Sequence, residues 1–134
     1  MACRKAVSAV EFAIVLPVFL AVIFATVIYG SHLAIVHGVQ QLAAEAARVS
    51  VAGLTDAERS SLARNYVNEN TAHYPLIALD RLTVTAAASP SDANTFVVTL
   101  MYDASDKIIY ALPQIIPAPS LQIVRNAVIP RGGY

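Results

Sequence analysis

The sequence predicts an α+β fold: one long N-terminal transmembrane helix continuing into a small outer domain with a second helix and about three antiparallel strands. Three observations predict it. From Phe12 to Tyr29 every side chain is apolar except Thr26, an uncharged run of about 18 residues. Thr55-Asp56-Ala57-Glu58 has the form of a helix capping box, with threonine at the N-cap and glutamate three residues on. Beyond Pro75 the hydrophobic period changes to two, the period of strands.

The apolar run comes first in the chain. As a helix it is ~27 Å long at 1.5 Å per residue, close to the ~30 Å hydrocarbon core of a bilayer. The hydroxyl of Thr26 can bond back to its own helix, and Glu11 stands at the head of the run. Arg4 and Lys5 precede it, whereas the next basic residue is Arg48. The positive-inside rule therefore expects a cytoplasmic N-terminus with the remainder outside. A cleaved secretory signal is the competing reading. The run is longer than a usual signal core, and Tyr29-Gly30-Ser31-His32 is not a small-residue cleavage site. Cys3, the one cysteine, has no intramolecular disulfide partner.

The helix is expected to continue past the membrane. There is no formal charge between Glu11 and Glu45 and no proline from Ser31 to Val51, while Leu42, Ala43, Ala46 and Ala47 are strong helix formers. One rod from Val10 to Val51 follows, kinked at Pro17 and stopped by Gly53 as a C′ residue. Ala13, Pro17, Ala21 and Ala25 recur every four residues, and Gly30, Ala34 and Gly38 repeat the spacing. Spans associate in lipid by close backbone approach, so Ala21, Ala25, Gly30, Ala34 and Gly38 form a candidate helix-packing face. Alanine and glycine are also common in spans that pack against nothing.

The remaining residues suffice for one modest domain. The second helix is expected from Asp56 to Asn70, with Leu62 and Tyr66 beside Ala63 as its apolar face and Leu54 as a hydrophobic staple. Arg81 to Ala87 and Thr95 to Tyr102 alternate as strands around the turn Ser89 to Asn94, an economical antiparallel hairpin. Pro113, Pro117 and Pro119 predict an extended, irregular course from Leu112 to Ser120. Leu121 to Ile129 alternates again as a third strand, interrupted by Arg125.

Little in the chain points to catalysis. Nine basic and nine acidic residues cancel, so no basic patch for nucleic acid is expected. His32 and His37 fall on different helix faces, with no carboxylate or cysteine at ligand spacing, which argues against a metal. Asp103 to Asp106 lacks the glycine and bidentate glutamate of a calcium loop. Neither a nucleophile elbow nor a phosphate-binding glycine loop occurs. No enzyme activity, no cofactor and no nucleic-acid partner are expected.

The run Ala9-Val10-Glu11-Phe12-Ala13-Ile14-Val15-Leu16-Pro17, followed beyond the span by Ala43-Ala44-Glu45-Ala46-Ala47-Arg48, resembles the TadE-like pseudopilins of the tight-adherence (Flp, type IVc) pilus system. The resemblance implies a minor pilin in the bacterial inner membrane or its pilus. Its partners would be other major and minor pilins, a prepilin peptidase and the pilus assembly platform. In that family the acidic residue is the fifth of the mature chain. Residues 1–6 would then be a leader cut between Ala6 and Val7, residues 7–53 the transmembrane and extended helix, and residues 54–134 a small periplasmic α+β domain. Glu11, Phe12 and Pro17 would serve assembly. The family's usual glycine before the cut is Ala6 here. TadF-like companions share the motif, so the resemblance leaves the choice between them open. The alternative of another class is a solitary single-pass envelope protein whose outer domain binds a ligand or partner. Neighbouring genes for a secretion ATPase, a peptidase and a major pilin would separate the two.

Overall fold

The computed structural model describes residues 2–107, 110 and 117–131, with side chains from residue 7 onward. Helix α1 spans Ala2–Ser50 and passes through Pro17 without a break. Helix α2 spans Asp56–Asn70, and strands β1 (Leu82–Ala88), β2 (Thr95–Asp103) and β3 (Gln122–Pro130) form one sheet in the order β1-β2-β3. Both strand pairs are antiparallel, with Ala88 opposite Phe96 and Thr99 opposite Asn126. By its contacts the chain divides into two compact units, Met1–His32 with Lys107–Pro119, and Leu33–Asp106 with Ser120–Tyr134.

The helices begin and end for identifiable reasons. No proline or glycine occurs in the first 29 residues apart from Pro17, so α1 extends eight residues N-terminal of the expected Val10. It ends at Ser50, whose hydroxyl donates to the Ala47 carbonyl at 2.7 Å. Thr55 caps α2, its hydroxyl accepting from the Glu58 amide at 3.2 Å, while the Glu58 carboxylate reaches back to the Leu54 amide at 2.9 Å. The expected staple does not form. Leu54 is 90% exposed, because the glutamate engages its backbone and its side chain turns to solvent.

In the second unit the inner face of the sheet presents Phe96, Val98, Leu100 and Tyr102, all fully buried. Helix α1 contributes Ile35, Val39 and Leu42 to the core of this unit, together with Ala43, Ala46 and Ala47. Each large aliphatic side chain buried this way contributes roughly 1.5–3 kcal/mol. The small residues keep the helix surface low where other elements press on it. On α2 the buried face is Arg59, Ala63 and Val67, one row over from the expected Leu62 and Tyr66, which are half-buried. Strand β3 alternates as expected, Ile123 inward and Val124 and Val128 outward, and it continues through Arg125. Of the proline-rich stretch, residues 111–116 with Pro113 lie outside the described residues, and 117–120 have no regular structure. The Ala104 amide donates to the Leu121 carbonyl at 2.8 Å, closing the β2–β3 connection at its base. Beside it, the Ser105 amide and hydroxyl, aided by Arg81, hold the Asp103 carboxyl below the usual carboxylate range.

Arg59 explains the turn between the helices. It is 8% exposed, its Nε donates to the Gly53 carbonyl at 2.9 Å and its Nη2 to the Arg131 carbonyl at 2.7 Å. Arg131 pairs with Asp56 and donates from Nη1 to the Ala93 carbonyl at 2.8 Å. One end of α2, the end of β3 and the β1–β2 turn are thereby tied together. Helix α1 ends at Ser50, so Gly53 lies beyond the C′ position expected of it, and its φ is not left-handed. A Cβ there would stand 2.7 Å from the Arg59 amide nitrogen, so it is glycine because Arg59 lies against it. Truncating Arg59 to Met keeps most of its apolar stem but strands two carbonyls, at a cost of about 1–3 kcal/mol. Arg59→Lys keeps the charge without the fork and recovers little of it. Thermal melting in detergent checks this, and a lysine variant melting like the parent would sink the fork argument.

Candidate functional site on the N-terminal helix

The residues singled out on α1 divide between two surroundings. Val7 is 58% and Phe12 65% exposed, and Glu11 is exposed with no hydrogen bond or ion pair among the described residues. Pro17 is exposed within the helix, and the backbone at Ala6 is helical. The most apolar 18-residue window of this helix is only 6% buried, whereas the core helix of a soluble protein is mostly buried. Thr26 satisfies its hydroxyl by donating to the Val22 carbonyl at 2.8 Å, so its polarity is answered within the helix. Such a surface is suited to lipid, where a helix meets its backbone hydrogen bonds within itself, Pro17 excepted.

The small residues fall differently along the helix. Ala21 and Ala25 are half-buried, on the same side as Ile28 at 5% exposure. Around Gly30 a built Cβ meets nothing within 4 Å among the described residues, and Ala34 is exposed. At Gly38 a Cβ would stand 2.9 Å from Ile77 Cδ1 and 3.3 Å from Tyr74 Cδ1. The glycine there serves close packing inside the chain's own second unit, while Gly30 and Ala34 leave open surface for another molecule.

Composition and spacing did not foresee a link at the end of the apolar run. The Tyr29 hydroxyl donates to the Pro117 carbonyl at 2.7 Å, and His32 Nδ1 is hydrogen-bonded to the Tyr110 hydroxyl at 3.2 Å. Its signal in the sequence was the absence of any charge from residue 108 to 124. His37 is exposed one turn and a half further on, so the two histidines do not converge. Among the described residues no group of His, Cys, Asp and Glu is arranged to hold a metal ion.

Fold and surface together define an α+β protein whose leading helix is a candidate membrane anchor. The family model described as TadE-like protein matches residues 6–48 of the chain, which covers nearly all of α1. No curated protein and no solved structure matches the chain.

The division of the small residues yields a test. Gly30→Leu and Ala34→Leu should leave stability, read by thermal melting in detergent, within about 0.5 kcal/mol of the parent. Gly38→Leu should lower stability by about 1–3 kcal/mol, because the added methylenes drive into Ile77 and Tyr74. Equal melting of all three variants would remove the distinction.

Proposed function

We propose that the chain is a minor, pilin-like subunit of a tight-adherence pilus system, a structural assembly component and not a catalyst. The observation that carries this reading is the coincidence of two things. The residues matched by the TadE-like family are the helix whose first part is long, apolar and unburied. In this reading the N-terminus is cytoplasmic, the span lies in the bacterial inner membrane and the second unit is periplasmic. A prepilin peptidase cuts between Ala6 and Val7, and the mature helix packs with other major and minor pilins on the assembly platform, priming or capping the filament. Gly30 and Ala34 are the positions best placed for that packing, being small and uncovered.

Cleavage would change the electrostatics of the helix tip. Removing Met1 to Ala6 takes away Arg4 and Lys5, leaving the new amine of Val7 and the carboxylate of Glu11 as the tip's formal charges. These are four residues apart, one helical turn, or within reach between staggered neighbours. An ionised carboxylate at the centre of a span costs about 2.5–3.5 kcal/mol on insertion scales. Pairing with an amine offsets that cost and fixes the axial register of one subunit against the next. The positive end of the mature helix adds to the same attraction.

Intact-mass spectrometry of the protein from its native membrane is expected to show loss of the first six residues. Ala6→Gly should leave processing unchanged or improved, and a bulky or charged residue at position 6 should block it. Assembled material that retains Met1 would end the cleavage reading. Glu11→Gln should insert and mature as the parent does but enter filaments at least several-fold less. Parental incorporation of that variant would reduce Glu11 to an interfacial carboxylate. For topology, a reporter fused after Tyr134 should be active only outside the cytoplasm, and cytoplasmic activity would overturn the orientation and the pilin reading together.

A further inference from the structure

The sheet of the second unit is enclosed on one face only. Its inner side chains, Phe96, Val98, Leu100 and Tyr102, are fully buried, while on the other face Met101, Val124 and Val128 are 40%, 46% and 57% exposed. A solvated sheet face ordinarily alternates to polar residues. Here the strand register sets three rows side by side, and the middle row is Thr85, Thr99 and Asn126. The rows flanking it, Ala87-Val97-Val128 and Thr83-Met101-Val124, are apolar but for Thr83. None of the three rows carries a charge. We propose that this face is an interface between two copies of the chain, packed sheet on sheet while α1 holds both in one membrane. The proposal rests on the reading of α1 as a membrane anchor.

The edges of the sheet are already engaged. The bonds of Ala104 to Leu121 and of Arg131 to Asn94 fix the pairing, so the carbonyls of Gln122, Val124 and Asn126 point away from β2. Each accepts from a side chain of this same chain: the Ser120 hydroxyl at 2.8 Å, Arg125 Nη1 at 2.8 Å and Gln40 Nε2 at 3.4 Å. Pro130, further along the same edge, has no N–H to offer. On β1, Ser60 of α2 takes the outward Ala86 carbonyl at 2.7 Å. A strand added at β3 would have to displace three bonds, so the open face is the part of the sheet left for a partner. The rows say what covers it. A two-fold axis lying in the interface sets the middle row of one copy on that of the other, whether it runs along the strands or across them. Polar row then meets polar row, and apolar rows meet apolar rows. Without charge on the face, two copies oppose no like charges, and a charged partner finds nothing to pair with. Area explains why the contact needs the anchor. At ~4.8 Å between strands and ~6.8 Å per two residues the rows cover roughly 300 Å². A stable free interface buries about 800 Å² on each partner. Copies confined to one membrane meet at a far higher effective concentration than copies free in solution.

Cys3 is the only cysteine, so a Cys3→Ser background accepts single reporters. Facing sheets lie ~10 Å apart, too far for a disulfide but within the span of a short bismaleimide. Thr99→Cys marks the middle of the face, Val128→Cys its β3 side, and Asn68→Cys the exposed surface of α2. Each full-length protein would be purified and reconstituted alone in phosphatidylethanolamine–phosphatidylglycerol vesicles, so that its own copies are the available partners. Vesicle flotation follows the anchor. Dimer yields at Thr99→Cys and Val128→Cys should exceed the yield at Asn68→Cys several-fold. Adding Val124→Lys to Thr99→Cys should bring its yield down to the α2 level without lowering the melting temperature, since Val124 is 46% exposed. Yields at the face no higher than at α2, or unmoved by Val124→Lys, would overturn the interface. Crosslinking of Thr99→Cys that appears only in native membranes, to a chain of different mass, overturns the second copy as occupant. Where the proteins float with the vesicles, these failures remove this proposal alone. Protein that does not float removes the membrane anchor, and the proposal falls with it.

Discussion

One helix carries two kinds of surface, an exposed apolar one suited to lipid and one buried in a core, and much of the structure follows from that division. Across the apolar run most side chains of α1 are exposed among the described residues, and exposed apolar side chains are best accommodated where the surroundings are as apolar as they are. Past Leu33 the same helix is a core element, with Ile35, Val39 and Leu42 fully enclosed. The hydrophobic effect acts on the two parts in opposite senses. In the second unit it drives the sheet and α2 onto the helix, burying area at about 25 cal/mol per Å². In lipid that drive vanishes, and what remains for association is close packing and hydrogen bonding between helices.

One corner of the second unit gathers several of its polar contacts around Arg59. Arg59 is nearly buried, yet its partners are neutral carbonyls, and Asp56 is engaged by Arg131 instead. Two of its donor nitrogens hold chain ends that would otherwise leave backbone acceptors stranded, while Nη1 has no partner among the described residues. The corner therefore fixes the angle at which the chain turns from α1 into α2 more than it adds net electrostatic energy, since a buried cation gains little without a counter-charge. Gly53 is the geometric condition for it.

Local chemistry made most of the fold legible in the sequence. The α2 cap at Thr55, the hairpin turn and the alternation of β3 are decided by residues within a few positions of one another. What escaped was decided by tertiary neighbours. A burial pattern of Arg59, Ala63 and Val67 cannot be drawn from hydrophobicity, because an arginine leads it. Gly53 was misread for the same reason, its constraint coming from Arg59 six residues later and not from its own backbone. The links of Tyr29 and His32 to residues 117 and 110 span 88 and 78 positions, beyond any local pattern. On the helix itself the spacing that gathered Gly30, Ala34 and Gly38 into one stripe was real as a sequence repeat. It could not say that Gly38 faces Ile77.

That distinction separates two kinds of signal within the matched stretch. The second quoted element, Ala43 to Arg48, lies where Ala43, Ala46 and Ala47 are 0–1% exposed, so its small residues are explained by packing inside this chain. The first, Ala9 to Pro17, has no such explanation. Phe12 is 65% exposed and Glu11 is without an intramolecular partner among the described residues. Folding of the second unit places no demand on either side chain. A bare anchor would not need a carboxylate there, and lipid alone would disfavour one. Nothing in the folded second unit accounts for Glu11 in this otherwise uncharged run, so its signal is of a different kind from that of Ala43 to Arg48.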